Sequence, residues 1–115
     1  MTVSRLADYL DHMCQAIADV QSFTEDMALA DFLEDKRTQH AVVMSLIVLG
    51  EAATKIMDQH PTFAEQHKHI PWRSKRGMRN HIAHGYFEIN LEVVWDTVQS
   101  ALPALKNQLE ALPSN

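Results

Sequence analysis

Val42-Val43-Met44-Ser45-Leu46-Ile47-Val48-Leu49-Gly50-Glu51-Ala52-Ala53-Thr54-Lys55-Ile56-Met57 lies at the heart of the most apolar segment of this chain, which runs from Thr38 to about Gln59. Its apolar residues recur at the three- and four-residue steps of a helix. Val42, Leu46, Leu49, Ala53 and Ile56 form one stripe, and Val43, Ile47, Gly50 and Met57 form a second beside it. A helix apolar over most of its circumference needs burial on more than one side. One side faces a bundle. The other is either a subunit interface, where Gly50 permits close approach, or is covered by the chain's own neighbouring helices. The uninterrupted apolar runs, Ala41 to Met44 and Leu46 to Leu49, fall short of a membrane span.

Working outward, Ser4 is placed to cap a helix whose apolar positions are Leu6, Leu10, Met13, Ile17 and Val20. Thr24, followed by Glu25 and Asp26, reads as the start of a short helix to about Leu33, with the acidic pair complementing its dipole. Glu34 to Arg37 reads as a polar turn. Beyond the central segment, Pro61 ends the helix and His60 to Ile70 reads as a polar connection. Pro71 suits a first helical position, opening a helix through Trp72, Met78 and Ile82 that stops at Gly85. Asn90 caps a last helix with Leu91, Val94, Val98, Ala101, Leu105, Leu109 and Leu112 on one face. Pro103 inside it predicts a kink or local break near Gln99, four positions earlier. No alternating run is long enough for a strand. The expected fold is all-α: an up-and-down bundle of about five helices, three of them long and nearly antiparallel, in one domain over residues 1–115.

Composition agrees. Of 115 residues, 46% are apolar and 22% charged, ordinary for a soluble globular chain, and three Gly with four Pro leave little for a many-turned β fold. Met1 to Gln15 lacks the apolar core of a signal peptide. Cys14 stands alone, which excludes an internal disulfide, suits a reducing compartment and reads as a small core residue. A cytoplasmic location is expected.

The formal charge of −5 hides a dipole. Between Glu65 and Glu88 there is no Asp or Glu, yet the window holds Lys68, Arg73, Lys75, Arg76 and Arg79 with His67, His69, His81 and His84. Such a segment suits a phosphate-rich ligand although the whole chain is acidic. Arg73, Lys75 and Arg76 are the expected phosphate contacts. Glu51, on the apolar helix, is the carboxylate expected to be partly buried; its natural partner is Arg79 or an interface Arg, which it would position. His81 and His84 are three apart, but the window supplies no Cys or carboxylate and no H-E-x-x-H pattern, so neither metal nor cofactor is expected. His12, His40 and His60 read as solvated surface residues, and Trp72 and Trp95 as packing residues.

Within the window, Arg79-Asn80-His81-Ile82-Ala83-His84-Gly85-Tyr86 carries the chemistry. Asn80 and His84 share a helix face, whereas Arg79 and His84 sit about 140° apart with roughly 7.5 Å of rise between them. A direct contact between those two on one helix is not expected. They would flank a ligand one phosphate wide, or meet a second copy's residues across a two-fold axis. Gly85 turns the chain and leaves Tyr86 just outside the helix, near the same site.

Arg79, His84 and Tyr86 resemble the R-x-x-x-x-H-x-Y signature of HEPN-domain ribonucleases, most closely the HepT-like toxins of MNT–HEPN toxin–antitoxin pairs, a type VII-like arrangement. Asn80, Leu49 to Lys55, Pro71-Trp72, Gly77 to Asn80, His84 to Phe87 and Val93 to Trp95 follow the same pattern in order. The resemblance implies a HEPN-like helical homodimer with the motif at its cleft, cutting RNA without a metal. Arg79 and His84 would be catalytic, with Asn80 assisting. It also implies a partner, the MNT nucleotidyltransferase antitoxin, which silences the toxin by adenylylating Tyr86. A competing reading is a non-catalytic helical module that docks a nucleotidyltransferase or binds nucleotides through the basic window.

Overall fold

In a computed structural model of the chain, which describes residues 5–113, Asp35 sets the start of the central helix. Its carboxylate accepts from the Thr38 backbone N–H at 3.0 Å and from the Thr38 hydroxyl at 2.7 Å. Helix α3 therefore runs Lys36–Gln59 and begins inside the stretch expected to be a polar turn. The backbone hydrogen bond first, then the hydroxyl, hold the Asp35 carboxyl below its ordinary range. A depressed carboxylate contributes stability that is complete above the unfolded-state pKa of about 4 and lost as pH falls through the folded value. Asp35→Asn, a comparable cap that does not titrate, is expected to flatten the fall of Tm with acid below about pH 4. Thermal melts across that range check it, and an unchanged slope counts against the cap.

Helix α1, Leu6–Phe23, lays Met13, Ala16, Ile17 and Val20 against α3. The Tyr9 hydroxyl, near the start of α1, donates to Gln59 at the end of α3 at 3.0 Å, so the two run antiparallel. The Ser4 cap expected for α1 lies outside the described residues. Cys14 on α1 is exposed, not a core residue. Its thiol is pushed up by partial desolvation and then by Asp11 and Glu110. The expected stripe Val42, Leu46, Leu49, Ala53 and Ile56 is buried throughout, each at most 1% exposed. By length and mean hydropathy α3 also passes for a membrane span, but half of that stretch is buried by its neighbours, and it serves as the core helix of the bundle. On its outer side Met44 and Val48 remain exposed.

Two expected boundaries move. Thr24 closes α1 instead of opening the next helix: its hydroxyl donates to the Val20 carbonyl at 2.8 Å, and its N–H reaches the same oxygen. Asp26 then turns the chain at φ 62°, and α2 is Leu29–Glu34, with the Asp31 carboxylate accepting from the Ala28 N–H at 2.9 Å. His60 to Ile70 is not merely a connection. Pro61 both ends α3 and occupies the first turn of α4, Pro61–Gln66, because its fixed φ and missing N–H suit that position. Phe63 and Ala64 give α4 an apolar side toward Trp72.

Helix α5, Trp72–His84, packs along α3 with Arg76 near Asp58 and Arg79 near Glu51, so it too runs antiparallel to α3. Gly85 ends it without entering the left-handed region, at φ −134°. A 3-10 turn, Tyr86–Glu88, follows. The Asn90 side chain accepts from the N–H groups of Glu92 and Val93, capping α6, Leu91–Asp96. The rod continues through one π turn, Thr97–Ala101, into α7, Leu102–Glu110. The π turn falls where Pro103 was expected to disturb the ladder. With α6 to α7 counted as one rod, the described residues form six helices and no strand: the all-α bundle expected, plus α4.

Candidate active site

Gly50 decides how closely α5 approaches α3. A Cβ there would stand 2.6 Å from the Lys75 carbonyl oxygen and would overlap the Cβ of Arg79. Its small size thus serves an approach within the chain, not the subunit contact that was one of its two sequence readings. Gly50→Ala is expected to destabilise the protein by about 1–2 kcal/mol, because overpacking against backbone outweighs the helix propensity gained. Urea or thermal unfolding measures this, and a neutral or stabilised variant would show that the seam is slack.

That close approach sets Arg79 over α3. Its Nη1 donates to Glu51 Oε2 at 2.9 Å and its Nη2 to Thr54 Oγ1 at 3.3 Å. The Thr54 hydroxyl donates in turn to the Gly50 carbonyl at 2.8 Å, which leaves its lone pairs for Arg79. The Arg79 side chain is 25% exposed and that of Glu51 46%, while Arg79 Nε is buried without a protein partner. The guanidinium is therefore oriented by two side chains and keeps an unused donor. Thr54 was not anticipated, although it sits one turn beyond Glu51 on the same face of α3, which is a readable signal.

Asn80 and His84 both stand exposed on α5, His84 as its last residue. No hydrogen bond joins His84 to Arg79 among the described residues, as their helical separation leads one to expect. Tyr86 is 42% exposed, and its ring meets His40 edge-on at 6.1 Å and Phe87 at 6.0 Å. His40 is exposed, as a surface residue is expected to be, and the fold also brings this start of α3 beside the turn after Gly85. A cavity of ≈ 160 Å³ opens there, lined by Gln39, His40, Val43, Tyr86, Ile89 and Leu91.

The basic window is less uniformly positive in space than along the chain, because α3 supplies the acids it lacks. Asp58 accepts from Arg76 at 2.6 Å, as Glu51 does from Arg79. Lys75 corrects its expected placement: it is 5% exposed, on the packed side of α5, and burial pushes its ammonium pKa down. In this chain it is not a surface phosphate contact. Arg73 is exposed and, among the described residues, makes no ion pair. The rings of His67 and His69 lie 5.9 Å apart, but among the described residues no three His, Cys, Asp or Glu side chains gather at one point.

The profile of the family described as "Ribonuclease HepT-like" matches residues 13–112. A Thermococcus cleftensis protein named "Probable ribonuclease HepT" is 39% identical over 105 residues, 91% of this chain and 93% of that relative. A "Putative RNase" of Methanocaldococcus jannaschii is 36% identical over 93% of this chain and 83% of its own length. One from Caldanaerobacter subterraneus is 30% identical over 90% of each. No solved structure matches the chain at a significant level. With a profile that covers the central helix and the whole motif, and relatives that align over nine-tenths of its length, the chain belongs to the HepT-like ribonuclease family.

Proposed function

We propose that this protein is a metal-independent endoribonuclease, the toxin of an MNT–HEPN toxin–antitoxin pair, acting in the cytoplasm as a homodimer. One observation carries the reading: Glu51 and Thr54 hold Arg79 in a fixed orientation, while Asn80 and His84 stand open to solvent on the same helix. A positioned cation and an accessible imidazole, flanking a ligand one phosphate wide or meeting a second copy's residues across a two-fold axis, are what transfer at a phosphodiester needs.

In this mechanism the ribose 2′-oxygen forms a bond to phosphorus and its proton passes to the imidazole of His84. The P–O5′ bond breaks, and the leaving oxygen takes a proton from an imidazolium, on the same His84 or on that of the second copy. The products are a 2′,3′-cyclic phosphate and a 5′-hydroxyl. Arg79 meets the charge that builds on the phosphoryl oxygens, and its planar fork fits them better than a point charge does. Asn80 orients the substrate or the imidazole.

Tyr86 serves control. Its phenol oxygen bonds to the α-phosphorus of ATP bound on the nucleotidyltransferase, pyrophosphate leaves, and the phenolic proton goes to solvent. The exposure of Tyr86 beside the fully exposed Phe87 gives a second enzyme access to it. The added anion occupies the place of the substrate phosphate.

The test uses purified protein and RNA in excess chelator. New ends bearing cyclic phosphates are expected, and labelled ATP with the nucleotidyltransferase should mark wild type but not Tyr86→Phe. RNA bound without new ends supports the helical binding module instead.

A further inference from the structure

We infer that the cavity beside Tyr86 seats one base of the RNA next to the cut, and that Gln39 selects a base with an exocyclic amine, adenine or cytosine. The inference rests on the ribonuclease reading above and gives it a sequence preference.

The Gln39 amide is held from one end. Its Nε2 donates to the Phe32 carbonyl at 2.8 Å and to the Leu33 carbonyl at 3.1 Å, both in the last turns of α2. Both of its N–H groups are thereby spent. Turning the amide over would set its oxygen against two carbonyl oxygens, so the orientation is fixed. Among the described residues no donor meets Oε1, and that atom is not sealed from solvent. Gln39 thus brings to the cavity wall a preset acceptor that nothing in the described chain uses.

The other walls suit a flat ring. Val43, Ile89 and Leu91 are aliphatic, and the rings of His40 and Tyr86 meet edge-on at 6.1 Å. At ≈ 160 Å³ the space is well under the roughly 300–1,000 Å³ of a site for a whole small molecule. One ring system fits, with its sugar and phosphate outside. Proteins read single-stranded RNA in this way, packing an unstacked base on side chains and hydrogen-bonding its edge. An apolar side chain of a second copy would fill the space but leave Oε1 without a donor.

Position ties the cavity to the chemistry. Tyr86 follows His84 by two residues, so their Cα atoms lie within about 7 Å of each other. A base seated against Tyr86 therefore belongs to a nucleotide beside the bond that His84 would cut. Polarity then selects the base. Adenine and cytosine carry an amine where guanine and uracil carry a carbonyl oxygen, and that oxygen would face Oε1 acceptor to acceptor.

In the experiment the full-length protein cuts a pool of random RNA ten-mers, and the ends bearing cyclic phosphates are sequenced. One position beside the cut is expected to hold adenine or cytosine. Inosine in place of adenosine there exchanges the amine for a carbonyl oxygen and should lower kcat/KM about tenfold. Gln39→Met has no acceptor at that length, so it should cut the adenosine and inosine RNAs within about twofold of each other. That ratio is internal to one preparation, so a loss of stability does not mimic it. Tyr86→Phe keeps the ring and cannot be adenylylated, and its ratio should stay near tenfold. A ratio lost with the phenol would overturn the RNA assignment and give the cavity to the adenine of a modified Tyr86. The base site is also overturned if wild type cuts with no preference beside the cut, which spares the ribonuclease reading, or if Gln39→Met keeps the tenfold ratio. If no RNA is cut, the anisotropy of labelled 2′-O-methyl ten-mers of cytidine and of uridine decides. Tighter binding of cytidine that needs Gln39 would sink the ribonuclease reading and leave the cavity a base site, whereas equal binding would sink both.

Discussion

His84→Ala is expected to lower kcat for RNA cleavage about a thousandfold, with KM changed only a few-fold, since general acid–base groups typically contribute factors of 10²–10⁴. His84 is the last residue of α5 and exposed, so its truncation removes little packing. Any favourable interaction of the imidazolium with the helix C-terminus is worth well under the chemical effect, about 0.3–1 kcal/mol. Tm should therefore stay within a few degrees of wild type. Free imidazole added to the variant should restore part of the rate, because the small molecule can enter the vacated, open position. Cutting at the wild-type rate would remove His84 from the chemistry. A loss that tracked unfolding, without rescue, would make it structural. If two copies of His84 act as acid and base across a dimer, mixed dimers carrying one Ala should lose nearly as much as the double variant. If one suffices, they should keep about half the activity.

How much of this was legible in the sequence depends on the range of the interaction. The buried stripe of α3 was readable because a helix repeats its face every three to four residues. The Asn90 cap and the disturbance before Pro103 were readable because each acts within one turn. The misplaced boundaries are also local, but they involve residues with two uses. Thr24 can cap the next helix or donate back to a carbonyl four residues earlier, and it does the second. Pro61 can end one helix or begin another, and it does both.

The site was legible in part. A carboxylate on an apolar helix needs a partner, and Glu51 does meet Arg79, 28 residues away. The burial of Lys75 was available from spacing, since Trp72, Lys75, Arg79 and Ile82 recur at three, four and three, which places both cations on the packed face. What no local pattern contains is the second partner of a long-range contact. The pairing of Asp58 with Arg76, which offsets the positive window, and the approach of His40 to Tyr86 follow only from the docking of α3.

Arg79→Lys is the complementary expectation: a loss of about a hundredfold in kcat, with small loss of stability. The half-exposed pair with Glu51 is worth on the order of 1 kcal/mol once solvent screening is counted, so breaking it does not threaten the fold. Lysine keeps the charge yet brings one ammonium on a flexible stem. It can satisfy Glu51 or face a phosphate, and it cannot span Glu51 and Thr54 while presenting a planar edge to the substrate. A residue that only neutralised Glu51 would be replaced well by lysine, so the conservative variant separates the roles. Glu51→Gln should fall between wild type and Arg79→Lys, by about tenfold, because the amide still accepts from Nη1 but holds it less firmly. The reading requires that order, measured as kcat on one RNA beside melting curves of the same preparations. Arg79→Lys cutting at the wild-type rate would show that charge alone suffices, and the fixed orientation of the guanidinium would then have no part in catalysis.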